Sequence, residues 1–452
     1  MTSTRRPRWS FALTVLAFGS AAAACRPTRP EGARAGPEPG TAAAPADGGA
    51  GLTKGPVDGN RVDFFAEARL AARPAPELAQ WREYLAASER LGAADRATIE
   101  GELRALHRAA MTRAPFQKAF RVDAQMTDDW FRGADGIRMT DNLLSFETPS
   151  GGWSKHVDYG VGPRAPGQSY YSETDSWQYI ATIDNDSTTE QLRFLARAWR
   201  ARGEPRCRDA FLRGLEYLFE AQFPNGCWPQ VYPLQGGYHD AATYNDNAIV
   251  NVLGVLADVA AGRFDFIPAG TRERAAASAE RGTSCVLKSQ FSAGGALAIW
   301  AQQVDPLTLE PVPARSYELA ALTGRESVGV VAYLMSLPSP DERVVRAVDA
   351  AIAWFKAHEI YGYEYDHYDL TEAKGAGPLW ARLYEIGTDR PIFSNRDGVK
   401  RYDWNELTDR RRGYVWFTKE PAEVLASYEA WSRAHRPASA AGRGSNAGLR
   451  LP

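Results

Sequence analysis

The chain has few of the residues and motifs that mark several large enzyme classes. Its 452 residues include six histidines and four cysteines. No two histidines have the HExxH spacing, which disfavours zinc-dependent hydrolysis. Neither a G-x-S-x-G elbow nor a G-x-x-x-x-G-K-[ST] loop occurs, which disfavours α/β-hydrolase and P-loop chemistry. The formal net charge is −2, so no global field favours nucleic acid, and a polyanionic partner must be held by a local patch.

Residues 1–25 have the pattern of an export signal. Basic residues precede the apolar stretch Trp9–Gly19, which is too short to span a bilayer, and small residues follow it. Cys25 comes directly after them, as in bacterial lipoproteins, so the signal ends either in a lipid anchor at Cys25 or in ordinary cleavage. We therefore expect an exported bacterial protein, secreted or anchored by lipid.

Three further cysteines, Cys207, Cys227 and Cys285, remain. They form at most one pair and lack the spacing of a metal site. We expect all three to be buried small hydrophobic side chains rather than a disulfide framework.

Composition divides the rest of the chain into three parts. Residues 26–59 are rich in Pro, Gly and Ala, which predicts a flexible tether. Residues 437–452 predict a disordered tail for the same reason. The folded domain is therefore expected at residues 60–436, and we expect it to be a monomer.

The dominant hydrophobic period in this region is helical. Apolar residues recur at the spacing of one helix face in residues 81–106, 192–199, 249–256 and 345–355, whereas alternating strands are scarce. Long polar loops crowded with Trp, Tyr, Asn and Asp lie between the helices, and loops of that length are usually functional. The pattern predicts an all-α fold, an α/α toroid-like array of helices with a central substrate cleft.

Two loops carry paired acidic and amide residues. The first contains Asp184 and Asn185, and its carboxylates suit an oxygen-preferring cation such as calcium. Ser187 and Glu190 equally fit a capping box at a helix start. In the second loop Asp246 precedes a helix and fits an N-cap as well as a functional acid.

Aromatic and basic residues complete the candidate site. Trp228 lies among aromatics and amides of the kind that bind sugar rings. Arg315 lies in a proline-flanked loop, where an ion pair to Glu318 is the ordinary interpretation. Arg382 and Arg396 lie among aromatics and can grip carboxylates, whereas the run Arg410–Arg412 is typical of a solvated face.

Seven stretches, in order, resemble the family 10 polysaccharide lyases, which are bacterial pectate lyases. They are Gly151–Lys155, Thr182–Phe194, Phe211–Leu215, Asn225–Asn251, Ala314–Glu318, Trp380–Glu385 and Pro391–Gly398. The chain departs from the family pattern at Cys227, where the family has glycine.

The resemblance implies calcium-dependent anti β-elimination on polygalacturonate. Arg315 matches the family's catalytic base, and Asp184 and Asp246 match acidic positions used for calcium and the uronate. Lys155, Arg382 and Arg396 match basic positions expected to bind substrate carboxylates, and we expect Asn185 and Trp228 to contact the sugar.

The chemistry sets conditions on an arginine base. Its ordinary pKa exceeds about 12, so activity should rise in alkaline solution. Calcium and the neighbouring cations Arg382 and Arg396 would lower that pKa by like-charge repulsion. Two alternatives remain open, namely an inverting glycoside hydrolase that uses Asp184 and Asp246, and a non-catalytic pectin-binding lipoprotein.

Overall fold

Helices dominate the structure, a computed structural model that describes residues 62–172 and 180–435. The predicted export signal, Cys25, the tether and the tail lie outside the described residues. All described residues belong to one compact unit, Gly51–Pro452. In the described part of the chain, no helix combines the length and the apolarity needed to cross a membrane.

Twelve helices are present in the described residues. They are α1 (Glu67–Ala71), α2 (Ala75–Ala105), α3 (Asp128–Arg132), α4 (Ala134–Ser145), α5 (Thr189–Arg202), α6 (Pro205–Glu220), α7 (Ala248–Ala260), α8 (Ala269–Lys288), α9 (Glu326–Ser336), α10 (Glu342–Ala357), α11 (Asp409–Arg412) and α12 (Pro421–His435). The predicted helical segments fall on α2, α5, α7 and α10, so these predictions are confirmed.

The strands of the described residues are short and form two-stranded antiparallel pairs. They are β1 (Ala181–Thr182), β2 (Val231–Tyr232), β3 (Ala242–Thr243), β4 (Ser292–Ala293), β5 (Ala296–Leu297), β6 (Gln303–Val304), β7 (Leu322–Thr323), β8 (Tyr363–Tyr365), β9 (Leu370–Glu372), β10 (Trp380–Ala381), β11 (Leu383–Tyr384), β12 (Phe393–Ser394), β13 (Lys400–Arg401) and β14 (Phe417–Thr418).

The helices form two layers. Helices α5, α7, α9 and α12 contact one another in chain order, and each of the first three also packs against the helix that follows it. The apolar faces of α7 and α9 are buried, including Ile249, Leu253, Val330 and Leu334. The predicted all-α, toroid-like architecture is therefore confirmed.

Four tryptophans mark a structural repeat that the sequence did not reveal. Each is fully buried, and each indole N–H donates to the carbonyl of the third-last residue of the helix before it. The donor–acceptor pairs are Trp153–Leu143 (2.9 Å), Trp228–Leu218 (2.7 Å), Trp300–Val286 (2.7 Å) and Trp380–Phe355 (2.8 Å). One bond therefore ties each tryptophan to the end of a helix, and buried indoles require such a partner.

Each tryptophan is paired with a threonine further along the chain. The main-chain N–H groups of Thr182, Thr243 and Thr323 donate to the carbonyls of Trp153, Trp228 and Trp300, at 3.1, 3.3 and 2.8 Å. Thr418 pairs with Trp380 between β10 and β14. We call each tryptophan with its threonine a unit, numbered one to four.

The units are joined in series by the short strands. Thr182 pairs with Val231, Thr243 with Gln303 and Thr323 with Leu383, and each partner lies three residues after the tryptophan of the next unit. The turns that follow the threonines are therefore brought side by side.

Close packing maintains the units. A Cβ added at Gly282 in α8 would lie 2.7 Å from Cζ3 of Trp228, a distance that side chains do not adopt. Glycine is therefore required there for α8 to approach the ring.

The cysteine prediction needs a correction. Cys227 and Cys285 form a disulfide with their Cα atoms 5.5 Å apart, and it ties unit two to α8. Spacing in the sequence did not indicate this pair, because the two cysteines are brought together only by the packing of α8. Cys207 is buried with a free thiol, as expected.

Candidate active site

Equivalent positions of the four units converge on one cluster of polar side chains. The side chains two residues after the tryptophans are Lys155, Gln230, Gln302 and Arg382. The side chains two and three residues after the threonines of units one to three are Asp184, Asn185, Asn245, Asp246, Arg325 and Glu326. We call these ten side chains the central cluster, and hydrogen bonds connect them across the units.

Two amides link the carboxylates of units one and two. The Nδ2 of Asn245 lies 3.3 Å from Oδ1 of Asp184 and 2.9 Å from Oδ2 of Asp246. The Nδ2 of Asn185 donates to the same oxygen of Asp246 at 3.2 Å. Sequence reasoning predicted Asp184, Asn185 and Asp246 as site residues, and the structure places all three together.

The two carboxylates differ in their pKa. Burial acts to raise the pKa of Asp184, but Lys155, with its Nζ 2.7 Å from Oδ2, outweighs it and lowers that pKa to about 2. Burial raises the pKa of Asp246 above its ordinary value, and the attraction of Arg382 offsets this only in part. Asp184 is therefore the firmly ionised member of the pair, and Asp246 gains most from an added cation.

The helix-capping interpretation of these acids is wrong. Helix α5 has Thr188 as N-cap and no side-chain cap bond, so Ser187 and Glu190 form no capping box. Helix α7 has Asn247 as N-cap, again without a side-chain cap bond. Asn185 and Asp246 instead have φ angles of 51° and 48° in short 3-10 turns. Left-handed backbone at non-glycine residues is costly and is concentrated at functional sites.

Arg315 forms the ion pair that its sequence surroundings suggested. Its Nε lies 2.8 Å and its Nη2 2.5 Å from the two carboxylate oxygens of buried Glu318, and its side chain is 36% exposed. Burial acts to lower the pKa of Arg315, but Glu318 outweighs this and raises the pKa well above its ordinary value. This corrects the expectation that neighbouring cations lower the pKa of Arg315.

Arg382 lies in the floor of the cluster. It pairs with buried Glu326 and donates to Oδ1 of Asn245 at 3.1 Å, and its side chain is 4% exposed. Its guanidinium also lies 4.3 Å from the ring centroid of Tyr414. In this position it orients the amide that connects the two acids, and its grip on a substrate carboxylate stays a prediction.

Three guanidinium groups surround the ring of Tyr317. They belong to Arg315, Arg396 and Arg411, at 5.1, 5.6 and 4.0 Å from the ring centroid. The structure brings the predicted Arg396 to Arg315. It also places Arg411, which the sequence suggested was part of a solvated face, against the same ring. The result is a positive patch suited to carboxylates.

The expected role of Trp228 is wrong. Its side chain is fully buried, and its indole N–H is bonded to the carbonyl of Leu218. It therefore packs in the core of unit two, where a sugar cannot reach it.

Sequence reasoning missed several members of the cluster. Arg325 lies 3.4 Å from Oδ1 of Asp246 and 3.5 Å from Oε1 of Glu420, and Glu326 holds Arg382. Gln302 donates to Asn245. No signal in the sequence marks them, because their equivalent positions after a threonine or tryptophan are recognised only from the pairings in the structure.

The donor set is compatible with calcium. The carboxylates of Asp184 and Asp246 meet at the turns of units one and two, and calcium prefers oxygen ligands of this kind. The oxygen of the Asn245 side chain is bonded to Arg382 instead. No group of three or more His, Cys, Asp or Glu side chains in the described ranges is arranged to hold a metal. Asp184 and Asp246 would therefore supply part of a coordination shell, with the rest left to substrate oxygens and water.

The cluster is equipped to bind and polarise an acidic sugar. Its carboxylates can hold a cation against a uronate, and the guanidinium groups around Tyr317 can hold further carboxylates. The inverting-hydrolase interpretation fits less well, because one amide nitrogen contacts both acids. The two bonded oxygens are thus closer than the roughly 6.5–9.5 Å that such enzymes use.

Comparisons with known proteins agree with this description. A family model described as pectic acid lyase matches residues 147–425. A mutant family 10 polysaccharide lyase from Cellvibrio cellulosa, in complex with trigalacturonic acid, is 32% identical with a TM-score of 0.60. This match covers 67% of this chain and 96% of that one. A second structure of family 10 polysaccharide lyase from the same organism is 31% identical with a TM-score of 0.60, covering 69% and 98%. No curated protein matches the chain.

Proposed function

The chain belongs to the pectic acid lyase family and is a polysaccharide lyase, and we propose that it cleaves polygalacturonate by calcium-dependent β-elimination with Arg315 as base. The observation that carries the proposal is that Asp184 and Asp246 meet through a shared amide, with Arg315 close enough for its charge to lower the pKa of Asp184. The solved relative in complex with trigalacturonic acid supports the same substrate class.

Elimination removes the C5 proton of a uronate and expels the C4 oxygen. That proton is weakly acidic while the adjacent carboxylate keeps its full charge. A calcium ion held by Asp184 and Asp246 would supply the charge withdrawal that stabilises an enolate-like intermediate. Asn185 and Asn245 hold the two acids in register, and Lys155 keeps Asp184 ionised.

Arg315 accepts the C5 proton, and Glu318 sets the pH range in which it can do so. Only the neutral guanidine accepts a proton, and Glu318 stabilises the cation. We therefore expect elimination to accelerate with rising pH well into the alkaline range. The leaving oxygen takes its proton from water.

The uronate chain is held by the cations around Tyr317. Arg396 and Arg411 present guanidinium groups beside Arg315, and each can bind a carboxylate through two parallel hydrogen bonds. Lys155 adds a further cation next to Asp184.

The deciding experiment is a product assay. Purified protein is incubated with polygalacturonate and calcium at alkaline pH, and the ultraviolet absorbance of a 4,5-unsaturated uronide is followed. We expect a rise that a chelator abolishes and that added calcium restores. Saturated products, insensitive to the chelator, would indicate hydrolysis instead. Retention on a pectate gel without any product would indicate binding alone.

Export is proposed together with the activity. Mass spectrometry of the mature N-terminus tests how the signal is processed. A lipid on Cys25 indicates anchoring, whereas an unmodified N-terminus at Arg26 or at an earlier residue indicates ordinary cleavage.

A further inference from the structure

The hairpin formed by β8 and β9 packs against the core through the partly buried side chains of Tyr365 and Leu370. Its strands pair from Tyr363–Glu372 to Tyr365–Leu370. The ring of Tyr365 contacts Trp404 and Phe417, and its hydroxyl accepts from the main-chain N–H of Trp416 at 3.1 Å. The hairpin is therefore anchored by a partly buried ring at the end of β8, next to its turn.

The tip of this hairpin is fixed as well. The Oδ1 of Asp366 accepts from the main-chain N–H groups of Tyr368 and Asp369, at 3.0 and 2.8 Å. Asp369 also pairs with Arg412 at 3.7 Å. A side chain carried on such a turn loses little freedom when a ligand binds.

Tyr368 at this tip presents an aromatic ring to solvent. The residue is 59% exposed, yet one edge of its ring lies against the main chain of Gly413. A Cβ at Gly413 would lie 2.7 Å from Cε1 of Tyr368, so glycine is needed for the ring to approach this closely.

The segment beneath the ring belongs to the candidate active site. Arg411 lies two residues before Gly413 and stacks on Tyr317, and Tyr414 directly follows Gly413 and donates its hydroxyl to Glu318. The neighbouring His367 has its pKa lowered by burial and then by the cations Lys118 and Arg325. The tip is therefore within electrostatic reach of Arg325 in the central cluster.

We propose that Tyr368 is a sugar-binding platform at the edge of the cleft, where it stacks on a pyranose ring of the acidic polysaccharide beyond the residue that reacts. This inference rests on the proposed function. A pyranose has an apolar face suited to an aromatic ring, and its carboxylate would find the cations of the cleft nearby. A solitary exposed tyrosine needs no explanation, but this one combines a fixed tip, a glycine fitted to its edge and adjacent cations.

The chain offers a matched control. Tyr361 is 60% exposed and lies just before β8, with its hydroxyl bonded to Glu359. It has nearly the same exposure as Tyr368, but its ring lies beside Gly377 instead of Gly413. A surface tyrosine without a role in binding should behave like Tyr361.

The experiment compares Tyr368→Ala, Tyr368→Phe and Tyr361→Ala in the full chain. We expect Tyr368→Ala to raise KM for polygalacturonate roughly 3- to 10-fold with kcat within about twofold, as for loss of one aromatic contact. Migration in gels containing polygalacturonate should speed up in parallel. Tyr368→Phe and Tyr361→Ala should match wild type. The proposal is refuted if Tyr368→Ala leaves KM and migration unchanged. It is also refuted if Tyr361→Ala weakens binding as much as Tyr368→Ala does.

A second variant protects the test against misfolding. Tyr368→Leu keeps an apolar contact with Gly413 but removes the flat ring. If Tyr368→Ala lowers the melting temperature, the leucine variant decides. A stably folded Tyr368→Leu that is retained less by polygalacturonate gels than wild type supports the platform, and equal retention refutes it. Failure of the proposed function can be distinguished from failure of this inference. Wild-type protein that binds polygalacturonate but releases no unsaturated product refutes elimination. The gel comparison of the variants still tests the role of Tyr368 in that case.

Discussion

Units one and two carry carboxylates and amides at the turn after the threonine, whereas unit three carries Arg325 and Glu326 at the same two positions. The pairing of threonine with tryptophan is shared, but the turns differ, because Asn185 and Asp246 have positive φ angles whereas Glu326 is the first residue of α9. The repeated pairing thus brings the side chains together, and the turns then present carboxylates and amides in units one and two but Arg325 and Glu326 in unit three. In unit three Glu326 is paired with Arg382 of unit four, whereas the acids of units one and two share amide partners.

The largest expected effect comes from Arg315, which lies between the tryptophan and the threonine of unit three. Replacing Arg315 with alanine removes the proposed base, and turnover should fall about 10²- to 10⁴-fold. Arg343→Ala is the control, because Arg343 is 68% exposed and pairs with Asp341 at the start of α10. Initial rates of unsaturated-product formation measure both. If Arg315→Ala keeps near wild-type turnover, the base lies elsewhere.

The buried ion pair between Glu326 of unit three and Arg382 of unit four should contribute strongly to the free energy of unfolding. Glu326→Gln leaves the guanidinium of Arg382 without its carboxylate, and we expect a loss of about 3–5 kcal/mol in unfolding free energy. Glu420→Gln is the comparison, because Glu420 is 47% exposed and lies 3.5 Å from Arg325. It should cost less than about 1 kcal/mol. Urea unfolding measures the unfolding free energy of both variants. Equal losses in the two would contradict the expected difference between the buried and the exposed pair.

The disulfide distinguishes unit two from unit one. Cys227 and Cys285 are separated by 58 residues, and a loop of that length predicts about 4 kcal/mol of stabilisation. The double variant Cys227→Ala, Cys285→Ala should therefore melt at a lower temperature while kcat changes little. Cys207→Ala serves as control for loss of a buried sulfur. A double variant as stable as wild type would show that packing alone holds unit two to α8.

The smallest expected effect is on the stability at acidic pH, and it distinguishes Asp184 from Asp246. The pKa of Asp184 falls from 3.8 to about 2 in the folded state, so its stabilising contribution is present above pH 3.8 and lost as pH falls towards 2. Asp184→Asn should remove this loss of about 2 kcal/mol between pH 5 and pH 2. Burial raises the pKa of Asp246 instead, so Asp246→Asn should stabilise the protein at neutral pH without calcium. Urea unfolding with chelator present measures both, and effects of the same sign would contradict the assignment.

The sequence predicted the helices and the main site residues for different reasons. Helices α5, α7 and α10 follow from apolar period, which is a local property. Asp184, Asp246 and Arg315 came from resemblance, because each had a plausible local alternative as a cap or an ion pair.

The rest depends on contacts between distant segments. The four units share little beyond a tryptophan and a threonine at unequal spacings, so the repeat is visible only in three dimensions. Buried Trp228 cannot be told from an exposed aromatic by its neighbours in sequence. The sign of the pKa change at Arg315 depends on how closely Glu318 approaches, which the short spacing alone does not determine.

The bond between Cys227 and Cys285 also has a consequence for how the protein matures. Both cysteines are fully buried, so their sulfurs must be oxidised before the core closes around them. Such oxidation belongs to secretory or periplasmic compartments rather than to a reducing cytosol. We therefore expect cytosolic expression to yield a dithiol form that is less resistant to heat, whereas chain that folds after export acquires the crosslink during folding.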